Sequence, residues 1–120
     1  MKNVLMIATE GDQHDVLFSA LGDKTGLDGD ISLTSATCVR DAEVQFRANP
    51  DFDAIVIAAG NDAEVLPMAR LVRGFRTAGF EGPMIAAGMK DHRRELVRAG
   101  CKYQATWRAL PGKLIEVLGL

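Results

Sequence analysis

The sequence has little of what marks a secreted, membrane-bound or nucleic-acid-binding protein. The two cysteines, Cys38 and Cys101, lie far apart and outside any CxxC or Cys/His spacing, which argues against a disulfide framework. The longest apolar run, Val4 to Ala8, is far too short to span a bilayer, and no signal-peptide pattern precedes it. No block of Lys or Arg is present, and 14 basic against 16 acidic residues give a net charge of −2, so nucleic acid is not an expected ligand. We therefore expect a soluble protein of the reducing cytoplasm, with no membrane association.

Motifs that hold nucleotide cofactors are also missing. The chain contains neither GxGxxG nor GxxxxGK[ST], and no Ser/Thr-rich loop suited to a flavin phosphate. The two histidines, His14 and His92, are not paired with a convincing Ser or Cys nucleophile, and we interpret His92 as a solvated residue at the start of a helix. The sequence therefore predicts no enzymatic activity and no cofactor, apart from weakly bound Mg²⁺.

What is present is the composition of one ordinary globular domain. The 120 residues are 48% apolar and 25% charged, which is enough apolar surface for a core and gives no signature of disorder. No repeats, linkers or low-complexity tracts divide the chain, so residues 1–120 are predicted to form a single domain. The initial Met1, and an end soon after the last predicted helix, favour a free-standing protein.

Hydrophobic patterning predicts five strands that alternate with five helices. Short apolar runs indicate strands at Val4–Ala8, Ile31–Thr37, Ala54–Ala59, Met84–Ala87 and Cys101–Ala105. Helical spacing follows each strand, within residues 16–21, 40–48, 65–75, 91–100 and 111–118. The fourth helix is expected to have Asp91 as its N-cap and Gly100 at its C-terminal end.

This alternation predicts an α/β fold, namely a flavodoxin-like doubly wound sheet. Five parallel strands in the order 2-1-3-4-5 would have helices on both faces, because βαβ crossovers place a helix against the sheet after each strand. Ligands of such sheets bind at the carboxyl ends of the first and third strands, where the strand order reverses. In this chain those segments are Ala8 to Asp15 and Ala58 to Asp62.

Four sequence segments of the chain resemble segments of the receiver domain of bacterial response regulators. The resemblance lies in their order and spacing along the chain. Asp53–Ala58 is similar to that family's third strand, Met68–Arg76 to its third helix, Pro83–Ala87 to its fourth strand, and Ala99–Tyr103 to the phrase that opens its fifth. The resemblance covers the whole chain and implies the CheY-like form of the flavodoxin-like fold.

The positions that carry receiver chemistry are substituted in this chain. In the family, an Asp closing the third strand accepts a phosphoryl group, an acidic pair closing the first strand holds Mg²⁺, a Ser or Thr ends the fourth strand, and Lys-Pro follows the fifth. These positions correspond to Ala58, to Ala8 and Thr9, to Ala87, and to 106–108, which read Thr-Trp-Arg. The resemblance thus implies a degenerate member, a pseudo-receiver that acts as a phosphorylation-independent protein-protein interaction module in two-component-type regulation.

A displaced acidic site is the first alternative. Glu10, Asp12 and Asp62 lie close to the substituted positions in the same predicted loops, and carboxylate oxygens are the ligands that Mg²⁺ prefers. The chain would then be a receiver whose Mg²⁺ site is formed by these three residues. Exposed loop carboxylates are more often simply solvated.

A pseudo-receiver would act through its surface, since it lacks the residues for phosphoryl chemistry. The resemblance implies that a protein partner, or a second copy of the chain, docks on the fourth helix, fifth strand and fifth helix. Trp, Tyr and Arg are enriched at interface hot spots. The residues of these types that we expect at the interface are Arg94, Arg98, Tyr103, Trp107 and Arg108. The alternative is that the arginines are solvated and that Trp107 covers the sheet edge.

A second alternative is a cobalamin-binding domain of the same fold. Such domains carry Asp-x-His-x-x-Gly in the first loop, where the His binds cobalt and the Asp orients it through the other ring nitrogen. Asp12 and His14 match this pattern, but Leu17 stands in the glycine place. Otherwise Asp12 or Asp15 would cap the first helix, with His14 exposed near its start.

Overall fold

A computed structural model describes residues 2–9, 13–17, 19 and 31–120 of the chain. The strands are β1 (Lys2–Ile7), β2 (Ile31–Ala36), β3 (Ala54–Ala58), β4 (Met84–Ala87) and β5 (Tyr103–Ala105). The helices are α1, which includes residues 13–17, α2 (Val39–Ala48), α3 (Asp62–Thr77), α4 (Lys90–Ala99) and α5 (Leu110–Leu118). None of the helices within these ranges is long and apolar enough to cross a membrane.

The five strands form one parallel sheet in the order β2-β1-β3-β4-β5. Strand order and direction confirm the predicted flavodoxin-like architecture. In the register, Ile7 lies beside Ile57, and Ala58 beside Ala87, so β1, β3 and β4 end at nearly the same level. The loops after these three strands therefore meet at one edge of the sheet.

The side chains of the central strands are buried on both faces of the sheet. Leu5 and Ile7 point to the face covered by α2, α3 and α4, whereas Val4 and Met6 point to the face covered by α1 and α5. Successive side chains of a strand alternate between faces, so a strand with a helical layer on each side must be apolar at every position. The continuous apolar run at the start of the chain follows from this requirement.

Several local predictions differ from the structure. Asp91 is not the N-cap of α4, which begins at Lys90 after Met89, and Met89 provides no side-chain hydrogen bond. β5 begins at Tyr103 rather than Cys101, because the backbone N–H of Cys101 donates to the carbonyl of Leu96 and still belongs to the end of α4. Asp15 lies inside α1 rather than at its cap. Residues 18, 20 and 21 of the predicted first helix lie outside the described residues.

Arg76 joins the end of α3 to the segments that lead into β4 and β5. Its guanidinium donates to the carbonyls of Phe80 at 2.9 Å and Gly82 at 2.7 Å, and twice to the carbonyl of Gly100 at 3.0 and 3.2 Å. Gly100 has φ of 144°, and a Cβ there would lie 3.1 Å from Cγ of Arg76. The planar fork of arginine thus satisfies three carbonyls of two turns, and a glycine makes room for it.

We expect Arg76→Gln to lower the free energy of unfolding by about 2–3 kcal/mol, because carbonyl acceptors in a partly buried site lose charged donors. Urea denaturation followed by circular dichroism measures this loss. The matched control is Arg73→Gln, an exposed position of the same helix, for which the change should stay within about 0.5 kcal/mol. Equal effects of the two substitutions would show that Arg76 does not hold these turns.

Candidate functional site

The carboxyl edge of the sheet contains a small cavity of about 70 Å³. It lies among the loops that follow β1, β3 and β4, with α1 and the segment after β5 at its sides. The nine residues that line it are Ala8, Thr9, Gln13, Ala58, Ala59, Gly60, Gly88, Met89 and Trp107. The topological switch point predicted from the strand order is therefore a real depression, although a shallow one.

Methyl groups form the floor of this cavity. Ala8 and Ala58 are 3% and 1% exposed and lie at the ends of two adjacent strands. Ala87 pairs with Ala58 in the register, is fully buried and does not line the cavity, where the following Gly88 takes its place. Gly88 has φ of 103°, so the chain turns immediately after β4 in a conformation that favours glycine. No carboxylate or hydroxyl is present at the positions of Ala8, Ala58 or Ala87.

The carboxylate of Glu64 holds the edge of the cavity together. Its Oε1 accepts hydrogen bonds from the backbone N–H of Gly60 at 2.7 Å and from the hydroxyl of Thr9 at 3.0 Å. Its Oε2 accepts from Nδ2 of Asn61 at 3.3 Å, and Oδ1 of Asn61 in turn accepts from the backbone N–H of Glu64. A Cβ on Gly60 would lie 2.9 Å from the Thr9 hydroxyl and 3.1 Å from the carboxylate, so glycine permits this close approach. One carboxylate thus joins the end of β1 to the loop between β3 and α3.

Glu64 was not predicted as a site residue, although the sequence contains a signal for it. Asn61 and Glu64 have the spacing of a capping box, in which an N-cap side chain and a Glu three residues later satisfy backbone donors at the helix start. No local pattern signals the hydrogen bond from the Thr9 hydroxyl to Glu64, because Thr9 is 55 positions away in the chain. Only the packing of β1 beside β3 brings these two residues together.

Asp62, one of the predicted metal ligands, is directed toward α4 rather than into the cavity. Its fully exposed carboxylate accepts a hydrogen bond from Nε2 of His92 at 2.8 Å. His92 is 4% exposed, so its interpretation as a solvated residue is wrong: the ring lies under α4 and links that helix to the start of α3. The other two predicted ligands, Glu10 and Asp12, lie outside the described residues. Among the described residues, no group of three His, Cys, Asp or Glu side chains is arranged to hold a metal ion.

His14 anchors α1 to the end of β1. The ring is 7% exposed, and its Nε2 lies 3.1 Å from the carbonyl oxygen of Ala8, to which it donates. The expectation of an exposed His14 is therefore wrong. Cobalt ligation would require a ring nitrogen facing a bound cofactor, but His14 does not line the cavity, and Asp12, the residue that would orient it, lies outside the described residues.

The predicted interface residues lie on α4, β5 and the segment that precedes α5. Arg94, Arg98 and Arg108 are exposed, Tyr103 is 37% exposed, and Trp107 is half-buried. Arg98 pairs with Glu95 at 2.9 Å, and the ammonium of Lys113 lies 5.6 Å from the centre of the Tyr103 ring.

Trp107 lies at the boundary between the cavity and the predicted interface. Its ring lines the cavity, and its Nε1 lies 3.9 Å from the place of a Cβ on Gly88. The same ring lines a second small depression, together with residues of α1 and α5. Trp107 therefore covers the carboxyl edge of the sheet beside β4, and only part of it faces outward.

Charge is unevenly distributed along the chain. Residues 1–64 include twelve acidic and four basic residues, whereas residues 65–120 include four acidic and ten basic ones. Residues 90–118, which comprise α4, β5 and α5, have seven basic and three acidic residues. The surface that contains the predicted interface is therefore basic, although the whole chain is slightly acidic.

The cysteines differ in environment, and neither lies at the cavity. Cys38 is exposed, and its Sγ caps α2 by accepting from the backbone N–H of Asp41 at 3.4 Å. Burial raises the pKa of the Cys101 thiol to about 12, and the nearby Arg76 guanidinium offsets this only in part. Cys101 is consequently a small apolar core residue rather than a reactive thiol.

The architecture is that of receiver domains. No protein-family profile matches the sequence, and no curated protein sequence matches it either. A response regulator receiver protein from Pseudoalteromonas atlantica superposes with a TM-score of 0.74 at 12% identity, over 98% of this chain and 97% of that one. The CheY-like protein TadZ from Pseudomonas aeruginosa gives 0.73 at 15%, over 99% and 91%. CheY6 from R. sphaeroides, in complex with the phosphorylated P1 domain of CheA3, gives 0.67 at 11%, over 99% and 98%. These similarities establish a receiver fold.

We expect Glu64→Ala to lower the free energy of unfolding by about 1–2 kcal/mol, because the Gly60 N–H and the Thr9 hydroxyl both lose their acceptor. The Gly60 amide resonance should also shift in a ¹⁵N spectrum, which a general loss of helix stability would not produce. Glu95→Ala, on the exposed side of α4, is the control and should change stability by less than about 0.5 kcal/mol. An unchanged Gly60 amide resonance would contradict the hydrogen bond from the Gly60 N–H to Glu64.

Proposed function

We propose that the chain is a pseudo-receiver: a non-catalytic, receiver-like signalling domain that acts as a phosphorylation-independent protein-protein interaction module in two-component-type regulation. The observation that carries the proposal is the methyl floor of the cavity, formed by Ala8 and Ala58 at the ends of β1 and β3. This is the place where a receiver fold would need its metal-binding and phosphoryl-accepting oxygens.

A methyl group cannot take the role of a carboxylate in phosphoryl transfer. A covalent phosphoryl intermediate needs an oxygen nucleophile, and Ala58 has none. Mg²⁺ needs several hard oxygen ligands in near-octahedral geometry, which Ala8 and Ala58 cannot supply. The residues present at the end of these strands therefore do not fit a receiver Mg²⁺ site.

Among the described residues, the carboxylate of Glu64 lies at the edge of the cavity and is already engaged. It accepts from Gly60 and Thr9, each within 3.0 Å, and so fixes the loop after β3 without any ligand. A loop held by an internal anion has no need of an added phosphoryl group to become ordered. This arrangement favours a domain that presents one constant surface to its partner.

The basic surface of α4, β5 and α5 is the interaction surface of the proposal. Its exposed arginines, Arg94, Arg98 and Arg108, lie beside the partly exposed aromatic rings of Tyr103 and Trp107, and these residue types dominate interface hot spots. Two copies of a basic surface repel each other when they meet face to face. The charge of this surface therefore favours an acidic protein partner over a symmetric homodimer.

The absence of phosphoryl chemistry is tested by adding Mg²⁺ and beryllofluoride, a mimic of an acyl phosphate, to ¹⁵N-labelled protein. We expect the amides of Thr9 and of residues 58–62 to keep their chemical shifts, because Ala8 and Ala58 have no oxygen that could bind beryllium or Mg²⁺. Mg²⁺ alone and fluoride alone are the controls. Saturable shifts at these amides would refute the proposal, and their loss in Asp62→Asn would assign them to a displaced acidic site.

The interaction surface is tested with the charge-reversed variant Arg94→Glu/Arg98→Glu. We expect the immobilised wild-type protein to retain an acidic protein from an extract of its own cells. The variant should retain at least tenfold less of it, which corresponds to a loss of about 1.4 kcal/mol of binding free energy. The matched control is Arg40→Glu/Arg73→Glu, which changes the same charge at exposed positions of α2 and α3 outside the groove and the interaction surface. Equal retention by both variants, or retention of no protein that depends on this surface, would contradict the assignment.

A further inference from the structure

A wide groove runs between α2 and α3, on the face of the sheet remote from α1 and α5. It has a volume of about 630 Å³, far larger than the cavity at the carboxyl edge. Its apolar lining includes Phe46 of α2, and Leu71 and Phe75 of α3. The two phenylalanine rings lie 4.5 Å apart between centroids and are inclined by 34°. The groove therefore has an aromatic floor, and its volume is typical of small-molecule sites, which range from about 300 to 1,000 Å³.

Gly74 lines one wall of the groove and contributes no side chain to it. It lies inside α3, where glycine costs roughly 1 kcal/mol relative to alanine. The fold does not require glycine here, since φ of Gly74 is not positive and no atom lies within 4 Å of the place of a Cβ. What the missing side chain provides is space in the groove, because Gly74 lines it directly.

One positive charge remains uncompensated at the groove. Glu43 and Arg47 both line it, and they form an ion pair with each other at 3.9 Å. Arg70 also lines the groove and is exposed, and none of the ion pairs among the described residues involves it. An aromatic floor beside a guanidinium that has no ionic partner in the described part of the chain matches a ligand with an apolar body and one negative group.

We propose that the groove between α2 and α3 binds a small organic anion with a flat apolar body and a single carboxylate, such as an aromatic carboxylic acid. The apolar body lies on Phe46 and Phe75 and against Gly74, and the carboxylate accepts hydrogen bonds from Arg70. The site is separate from the α4, β5 and α5 surface and does not depend on the function proposed for that surface.

The probe is 2-naphthoate, titrated into ¹⁵N-labelled protein. We expect saturable shifts of α2 and α3 amides with a Kd at or below about 1 mM, the weak end of specific binding. The neutral analogue 2-naphthalenemethanol should bind about fivefold more weakly, because it lacks the charge that pairs with Arg70. In Arg70→Gln the two compounds should bind with equal affinity.

Gly74 offers a blocking variant that should not harm the fold. Gly74→Leu places a side chain in the groove where a Cβ meets no atom within 4 Å, and it removes a helix-interior glycine. We expect the melting temperature of this variant to be no lower than that of the wild type. It should bind 2-naphthoate at least tenfold more weakly, which corresponds to about 1.4 kcal/mol of binding free energy. Gly74→Ala, the matched control, should bind normally.

Three results would overturn the proposal. They are no saturable binding up to millimolar concentrations, shifts confined to residues outside α2 and α3, and unchanged affinity in a folded Gly74→Leu protein. If an amphipathic acidic peptide bound the groove while 2-naphthoate did not, the occupant would be a protein segment, and the small-anion assignment would be wrong.

Discussion

Burial of β1 and β3 on both faces of the sheet is the constraint on which the rest of the structure depends. Val4 to Ile7 and Ala54 to Ile57 are fully buried, with α2, α3 and α4 on one side and α1 and α5 on the other. Strands in this position must be apolar throughout, and they must be parallel because a helix follows each one. Their ends consequently fall together, and this creates the edge that contains the cavity.

At that edge, alanine methyls lie beside polar groups that are hydrogen-bonded to one another. The floor is made of alanine methyls at the ends of two apolar strands: Ala58 is the last residue of β3, and Ala8 directly follows β1. The nearby polar groups of Thr9, Gly60 and Glu64 bond to one another. The same fold could place oxygens there to bind a metal ion or accept a phosphoryl group. In this chain those positions serve the core, and this is why the proposed function rests on the surface.

The surface is divided between two kinds of chemistry. The α4, β5 and α5 side is basic and has half-exposed aromatic rings, which suits an acidic protein. The groove between α2 and α3 has an apolar lining and the exposed Arg70, which forms no ion pair within the described part of the chain, and this suits a small anion. The long helix α3 connects the groove to the cavity edge, because its N-terminus contacts the loop after β3 through Glu64 and its middle forms the groove wall. Contacts on α3 therefore have a direct structural connection to the loop after β3.

By itself, the sequence determined the alternation of strands and helices, and hence the parallel sheet and its order. These depend on local periodicity and on the short connections that a right-handed crossover requires, both of which are readable along the chain. The interpretation of Ala8, Thr9, Ala58 and Ala87 as substituted receiver positions came from the resemblance to receiver domains, and it stays a prediction. Tertiary structure alone decided the bond of Thr9 to Glu64, the burial of His92 beneath α4, the position of Trp107 over the cavity, and the groove beside Gly74. Each joins residues far apart in the chain or depends on the spacing of two helices, and no local pattern encodes such distances.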